Sequence, residues 1–258
     1  MAEPTAEGSA GGRSLTVLGC DGSYPGPGGA ASGYLVRSFG TTIWVDAGSG
    51  TLANLQRHVE PGQVDAVILS HEHPDHWSDI EPFAVVSRYW LERTDIPVYA
   101  PSGLRSRTYH AQEGETLDWW TIEPGERVVI GDLAVTFSAT DHSVPTRAMR
   151  FDPLDAPEGD LSGSLAYTAD TGPDWSVAEL GHGIGTLLSE ASFTAEFEGG
   201  QQHLSGRQAG AMAADARVGR LVVTHRWPTV AAAALAEEAS TAFSRAVVQA
   251  TVDLVVQW

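Results

Sequence analysis

The segment Ser70-His71-Glu72-His73-Pro74-Asp75-His76 constrains this chain more than any other, because it sets four potential metal ligands within six residues, directly after the largely apolar run Val64–Leu69. A buried strand that delivers a burst of polar side chains is the pattern of a functional loop at a strand's carboxyl end. A helical metalloprotease site does not fit. It needs a second histidine four residues after His71, where Asp75 stands, and Pro74 disfavours a helix interior. An irregular loop instead lets His71 and His73 turn to one ion while Asp75 and His76 reach another. Imidazole and carboxylate suit a borderline-soft divalent cation such as Zn²⁺, with Mn²⁺ or Fe²⁺ left open. Two such ions a few ångströms apart share and acidify a water. Two full coordination spheres require further donors, and these must come from distant strand ends.

With 258 residues the chain exceeds the commonest domain size but stays within the range of two-sheet single domains. Residues 1–13, rich in Glu, Gly, Ser and Ala, read as a loose tail, and residues 14–258 as one hydrolase domain. Cys20 is the sole cysteine, so neither an intrachain disulfide nor a thiolate metal cluster is available. The Met1–Gly12 segment lacks the basic start and apolar core of a secretory signal, and no run reaches membrane-spanning length. The sequence therefore predicts a cytoplasmic protein without a membrane partner. The net charge of -18 arises with all fifteen basic residues being arginine. Such a surface repels nucleic-acid backbones, although positive potential at bound metals still attracts a small phosphate ester.

Along the chain, the sequence predicts a first strand at Leu15–Leu18, a glycine-rich turn over Gly19–Gly33, a hairpin of Tyr34–Ser38 with Thr42–Val45, and a helix over Leu52–His58. After the metal loop come a helix over Ile80–Trp90, a strand beginning at Val98–Tyr99, and a stretch, Gly103–Pro124, without a clear periodic pattern. Further strands are expected at Leu133–Ala139, Ser164–Thr168, Ile184–Leu188 and Leu221–Thr224, each followed closely by an acidic residue or a histidine. Helices over Gly206–Ala216 and Val230–Ser244 and a terminal strand over Val247–Val256 complete the reading. No simple sequence repeat is present, yet both halves alternate strands with helices. Neither Asp21–Gly29 nor Gly181–Gly185 completes a nucleotide-binding glycine pattern, and both read as turns.

The motif His71-x-His73-x-Asp75-His76 resembles the signature of the metallo-β-lactamase superfamily, and landmarks from Leu18-Gly19-Cys20-Asp21-Gly22-Ser23 to His225 resemble its ribonuclease Z-like phosphodiesterase branch, particularly actinobacterial cyclic-nucleotide phosphodiesterases. The resemblance implies an α/β fold, the αββα sandwich, with two central mixed sheets flanked by helices. It also implies that His142, in Thr140-Asp141-His142-Ser143, joins His71 and His73 at a first ion. Asp170, in Tyr167-Thr168-Ala169-Asp170-Thr171-Gly172, would bridge both ions, and His225 would join Asp75 and His76 at the second. Asp46, in Val45-Asp46-Ala47-Gly48, would steady the metal loop from behind its ligands. His203, in His203-Leu204-Ser205-Gly206, would stand near the leaving oxygen with Glu190 as its supporting carboxylate. Asp75, His203 and Glu190 are thereby assigned the catalytic work. His58, His110 and His182 have no place in the pattern and read as surface or local structural histidines.

What the resemblance implies is phosphodiester hydrolysis by a metal-bridging hydroxide, with His203 protonating the departing oxygen. A 3′,5′-cyclic nucleotide or another small phosphodiester is favoured over RNA, since the charge is acidic and Ser143–Ser162 is too short for a large added domain. Trp77 and Trp227, each near a proposed ligand, are candidate walls for a base. Arg147 and Arg226 are candidate substrate contacts. A ribonuclease Z-like RNA endonuclease, a lactam or thioester hydrolase and a noncatalytic metal-stabilised interaction module stand as alternatives, and a homodimer stays open.

Overall fold

A computed structural model describes residues 12–109, 111 and 116–258. Most of the expected tail, residues 1–11, and His110 lie outside the described residues. The strands are β1 (Ser14–Gly19), β2 (Gly33–Ser38), β3 (Thr41–Ala47), β4 (Ala66–Ile68), β5 (Ile96–Ala100), β6 (Leu117–Thr121), β7 (Arg127–Ile130), β8 (Leu133–Ala139), β9 (Arg147–Pro153), β10 (Leu165–Tyr167), β11 (Thr186–Glu190), β12 (Arg220–Thr224), β13 (Val248–Gln249) and β14 (Val255–Gln257). The helices are α1 (Thr51–Leu55), α2 (Ile80–Tyr89), α3 (Gly206–Asp215) and α4 (Ala232–Phe243).

The strands form two seven-stranded sheets, ordered β14-β1-β2-β3-β4-β5-β6 and β13-β12-β11-β10-β9-β8-β7. Side-chain alternation explains why they stack. In β2 and β3, Tyr34, Val36, Ile43 and Val45 enter a core shared with Phe137, Met149, Phe151 and Tyr167 of the other sheet. Leu35 and Trp44, on the opposite face, pack with Leu55 of α1 and Ile80 and Phe83 of α2. Leu187, Leu221 and Val223 likewise turn outward onto Ala209 and Ala213 of α3 and Leu235 and Phe243 of α4. The result is the αββα sandwich expected from the sequence.

Each sheet has an antiparallel half and a parallel half. In the first, β14, β1, β2 and β3 pair antiparallel while β3 to β6 pair parallel. The second repeats this, with β7 to β10 antiparallel and β10 to β13 parallel. Parallel pairing requires crossovers and sends carboxyl ends the same way. The loops after β3, β4, β10, β11 and β12 therefore gather at one edge of the sandwich.

The fold departs from the sequence reading in three places. The ambiguous stretch Gly103–Pro124 contributes the edge strand β6, and β7 and β9 have no counterpart among the predicted elements. The single terminal strand expected over Val247–Val256 is two, because β13 joins β12 in one sheet and β14 joins β1 in the other. The chain crosses between sheets at Asp253, whose φ of 68° makes the turn and whose N–H donates to the Val17 carbonyl. No helix among the described residues is long and apolar enough to cross a membrane.

Candidate metal centre

The bend demanded by the metal loop comes from Pro74. After the extended His73, residues Pro74–His76 form one turn of 3-10 helix with proline at its first position, where the missing N–H costs nothing. His71 and His73 are thus separated in direction from Asp75 and His76. The other candidates arrive from strand tips: Asp46 near the end of β3, His142 after β8, Asp170 after β10, Glu190 closing β11 and His225 after β12. His203 precedes α3, whose start is fixed by a capping box in which Ser205 Oγ accepts from Gln208 N and Gln208 Oε1 accepts from Ser205 N. Asp46, Ala169 and His225 all have left-handed backbone, with φ of 54°, 51° and 56°. That conformation is uncommon for residues other than glycine, and these three adopt it where the tips turn into the site.

The donors form two nests. His73 Nδ1 lies 3.0 Å from both His71 Nε2 and His142 Nε2, and Asp170 Oδ2 lies 3.6 Å from His71 Nε2 and 3.9 Å from His142 Nε2. On the other side, Asp75 Oδ2 lies 3.4 Å from both His76 Nε2 and His225 Nε2, while Asp170 Oδ1 lies 3.4 Å and 3.3 Å from the same two nitrogens. Tetrahedral donors about 2.0–2.1 Å from a zinc ion stand about 3.3 Å apart, so both nests have the scale of a coordination sphere. His76 Nε2, His225 Nε2 and Asp170 Oδ1 are buried without a hydrogen-bond partner. Orphaned buried polar atoms are costly. A cation seated among them satisfies all three, and the donor set therefore fits a divalent metal, with Asp170 offering one oxygen to each nest.

Hydrogen bonds behind the donors orient them. Asp46 is fully buried, and its Oδ2 lies 2.7 Å from His76 Nδ1. The same carboxylate accepts from Ser70 N at 2.7 Å, Ser70 Oγ at 2.9 Å and the Tyr167 hydroxyl at 2.9 Å. Glu190, also fully buried, holds His203 Nδ1 at 3.0 Å, Thr171 N at 2.7 Å and Ser192 Oγ at 2.7 Å. His142 Nδ1 faces the Gln202 carbonyl at 3.2 Å, and Ser23 N donates to Asp75 Oδ2 at 2.8 Å. The sequence reading missed Ser23, Ser70, Tyr167 and Ser192. Neither serine nor tyrosine ligates in this pattern, so only the fold reveals which of them stand behind a ligand. The glycine-rich turn had a local signal: a Cβ on Gly22 would lie 2.3 Å from the His225 carbonyl oxygen, so only glycine lets that loop close over the site.

The electrostatics are those of histidines and carboxylates pressed together. Burial holds the His71 imidazole well below its ordinary range, helped by neighbouring His76, and burial also lowers His73 and His142. Neutral imidazole is the form that ligates. Burial alone would raise Asp75 and Asp170, but the surrounding histidines carry both well below the usual carboxylate range. Burial also opposes charge on His203, yet Glu190 outweighs it and raises the imidazole to about 9.

The expected substrate contacts are placed differently. Arg147 is instead buried: its backbone N–H donates to the Ser70 carbonyl, but its guanidinium turns to the Ile122 carbonyl and Glu123, both at 3.2 Å. Arg226 Nη1 donates to the carbonyls of Trp227 and Val230, pinning its own loop. Both forks are occupied within the protein. Trp77 donates through Nε1 to the Glu72 carbonyl and packs on the outer core, while the Trp227 ring lies 5.1 Å from Phe193.

Comparison with known proteins agrees with this geometry. Residues 41–226 match the family model described as a β-lactamase superfamily domain. An uncharacterized protein of Mycobacterium tuberculosis is 35% identical over 243 residues, covering 89% of this chain and 86% of its own. YhfI of Bacillus subtilis is 32% identical over 220 residues, covering 82% of this chain and 86% of its own. The crystal structure of YhfI, described as a metallo-β-lactamase fold protein, superposes with a TM-score of 0.85 at 30% identity, over 96% of this chain and 100% of that one. The short form of human tRNase Z shares the fold with a TM-score of 0.73 at 18% identity, over 94% of this chain and 98% of that one. With its αββα sandwich and its clustered histidines and aspartates of a metal-dependent hydrolase, the chain belongs to the metallo-β-lactamase superfamily.

Proposed function

We propose that the protein is a phosphodiesterase of small substrates, 3′,5′-cyclic nucleotides foremost. His71, His73, His142 and Asp170 would hold one divalent cation, and Asp75, His76, His225 and Asp170 a second. When bound, such a pair supplies Lewis-acid charge and a water acidic enough to attack at neutral pH.

The observation that carries the phosphodiester reading is the His203–Glu190 pair at 3.0 Å on the rim of the nests. His203 Nδ1 also lies 3.9 Å from Asp170 Oδ2, and the ring stacks on His225 with centroids 5.3 Å apart. Glu190 binds Nδ1–H and favours the imidazolium, so Nε2 carries a proton that can be delivered to a departing alkoxide. A ribose alkoxide is a strongly basic leaving group, and its departure from phosphorus is helped by that proton. Glu190 is itself anchored by Thr171 N and Leu204 N, which hold the pair beside the metal nests. Ser143–Ser162 is taken up mainly by β9 and the turn beyond it, which leaves the small substrate as the better match to an acidic surface.

Turnover of cyclic AMP, cyclic GMP, bis(p-nitrophenyl) phosphate, a transfer-RNA precursor, a β-lactam and a thioester by the metal-loaded protein tests the proposal. Cyclic-nucleotide hydrolysis that disappears in Asp75→Ala is the expected result. Lactam or thioester turnover with no phosphodiester cleavage would overturn it, and cleavage of the RNA precursor alone would replace the substrate class.

A further inference from the structure

We propose that Ser192 is a positioning residue: it decides which ring nitrogen His225 offers to a cation, by relaying the other one to Glu190. The inference rests on the two-cation reading above and goes beyond the ligands it names.

Ser192 lies two residues past the end of β11 and is fully buried. Its Oγ stands 2.7 Å from Glu190 Oε2, 2.9 Å from His225 Nδ1 and 3.1 Å from the His225 carbonyl oxygen. A serine hydroxyl has one proton to give. The carboxylate is both closer and charged, so it takes that proton. Donation to the carbonyl instead would leave the same consequence for the ring. In either case Oγ has only lone pairs to present to Nδ1, and Nδ1 must carry the hydrogen.

In the neutral form of the ring, the form that ligates, His225 Nε2 is then bare, and it is Nε2 that faces Asp75 Oδ2 at 3.4 Å and Asp170 Oδ1 at 3.3 Å. A bare nitrogen opposite two carboxylate oxygens repels them, whereas a divalent cation among the three makes all of them ligands. This accounts for two of the orphaned atoms in the nest, His225 Nε2 and Asp170 Oδ1.

The other sheet uses the same device. Ser70 Oγ donates to Asp46 Oδ2 at 2.9 Å and lies 3.0 Å from His71 Nδ1, which leaves His71 Nε2 to face His73 and Asp170. In each half a buried carboxylate takes the serine proton, and the serine takes the histidine proton. The halves differ in what else the carboxylate holds. Asp46 also binds His76, whereas Glu190 binds His203 through Oε1, so Glu190 serves both a metal nest and the rim histidine. Ser192 touches the nest histidine directly and reaches His203 only through Glu190.

Metal titration of the full chain, stripped with a chelator and reloaded with Zn²⁺, tests this in Ser192→Ala and Ser192→Thr, with His225→Ala identifying which sites belong to the second nest. Loss of a partner behind a ligating histidine typically weakens metal binding about 10–100-fold. The expected result is that loss in Ser192→Ala, confined to the second nest, with affinity restored in Ser192→Thr. Unchanged binding, or equal weakening of both nests, overturns the proposal. If Ser192→Ala does not fold, nitrogen-15 spectra of His225 in the zinc-loaded wild type decide instead: a hydrogen retained on Nδ1 supports the relay, and an Nδ1 without a hydrogen overturns it. A wild type that binds fewer than two ions sinks the two-cation reading itself, whereas two ions bound equally well by Ser192→Ala sink only the role of Ser192.

Discussion

The Tyr167 hydroxyl, at the end of β10 in the second sheet, donates at 2.9 Å to the Asp46 carboxylate at the end of β3 in the first. This bond ties the two sheets together beneath the metal nests, because Asp46 also holds His76 and Ser70. A hydrogen bond to a charged group contributes about 1.5–3 kcal/mol. Tyr167→Phe should therefore lower the stability by about 1.5–3 kcal/mol, with a fall of about 2–4 °C in melting temperature per kcal/mol for a chain of this size. Calorimetry of the metal-free protein measures it, and an unchanged transition would show that the bond carries no load.

Asp170 should be unlike every other donor. One oxygen faces His71 and the other faces His76 and His225, so Asp170→Ala is expected to lose both ions, while His225→Ala keeps the first. Metal content per chain after gel filtration distinguishes the two. Retention of one tightly held ion by Asp170→Ala would mean that the nests are independent.

The pH dependence of turnover should report on His203. Glu190 lifts this imidazole to about 9 against the effect of burial, so the proton it donates is present below that pH and is lost as the pH rises through it. Bound cations oppose the imidazolium charge, which places the alkaline limb of kcat at or below about 9. In Glu190→Gln the supporting charge is gone, and the limb should move to lower pH, toward the ordinary imidazole value. A limb in the same place in both proteins would remove His203 from the reaction.

Stability away from the site has its own test in α3. A Cβ on Gly210 would lie 2.3 Å from the Ala239 carbonyl oxygen of α4, so the two helices meet backbone to backbone there. Gly210→Ala should cost about 1–3 kcal/mol by forcing them apart, with metal content unchanged. A neutral effect in chemical denaturation would show that the helices yield easily.

The candidate donors were legible because histidine is scarce and the donors' positions follow strand-like runs. His71, His73, Asp75 and His76 declare themselves by spacing, and His142, Asp170 and His225 were reached through the family resemblance. The hydrogen-bonded shell behind them was not legible. Ser70 and Ser192 are ordinary residues until the fold brings Asp46 and Glu190 against them. Strand reading succeeded where an apolar run is bounded by turn residues, as in β8, which matches Leu133–Ala139 residue for residue between Gly131-Asp132 and Thr140-Asp141. It missed the short edge strands β6 and β7, and also the interior strand β9, whose apolar residues are interrupted by Arg147, Arg150 and Asp152. Arg147 and Arg226 show the remaining gap, since a guanidinium near a site in sequence is as readily used to pin the protein's own carbonyls.

The most direct test of the account is anomalous diffraction from crystals of the zinc-loaded protein. Two peaks about 3.5–4 Å apart, one among His71, His73 and His142 and the other among Asp75, His76 and His225, with Asp170 touching both, is the predicted result. A single peak, or metal bound away from Asp170, would contradict it.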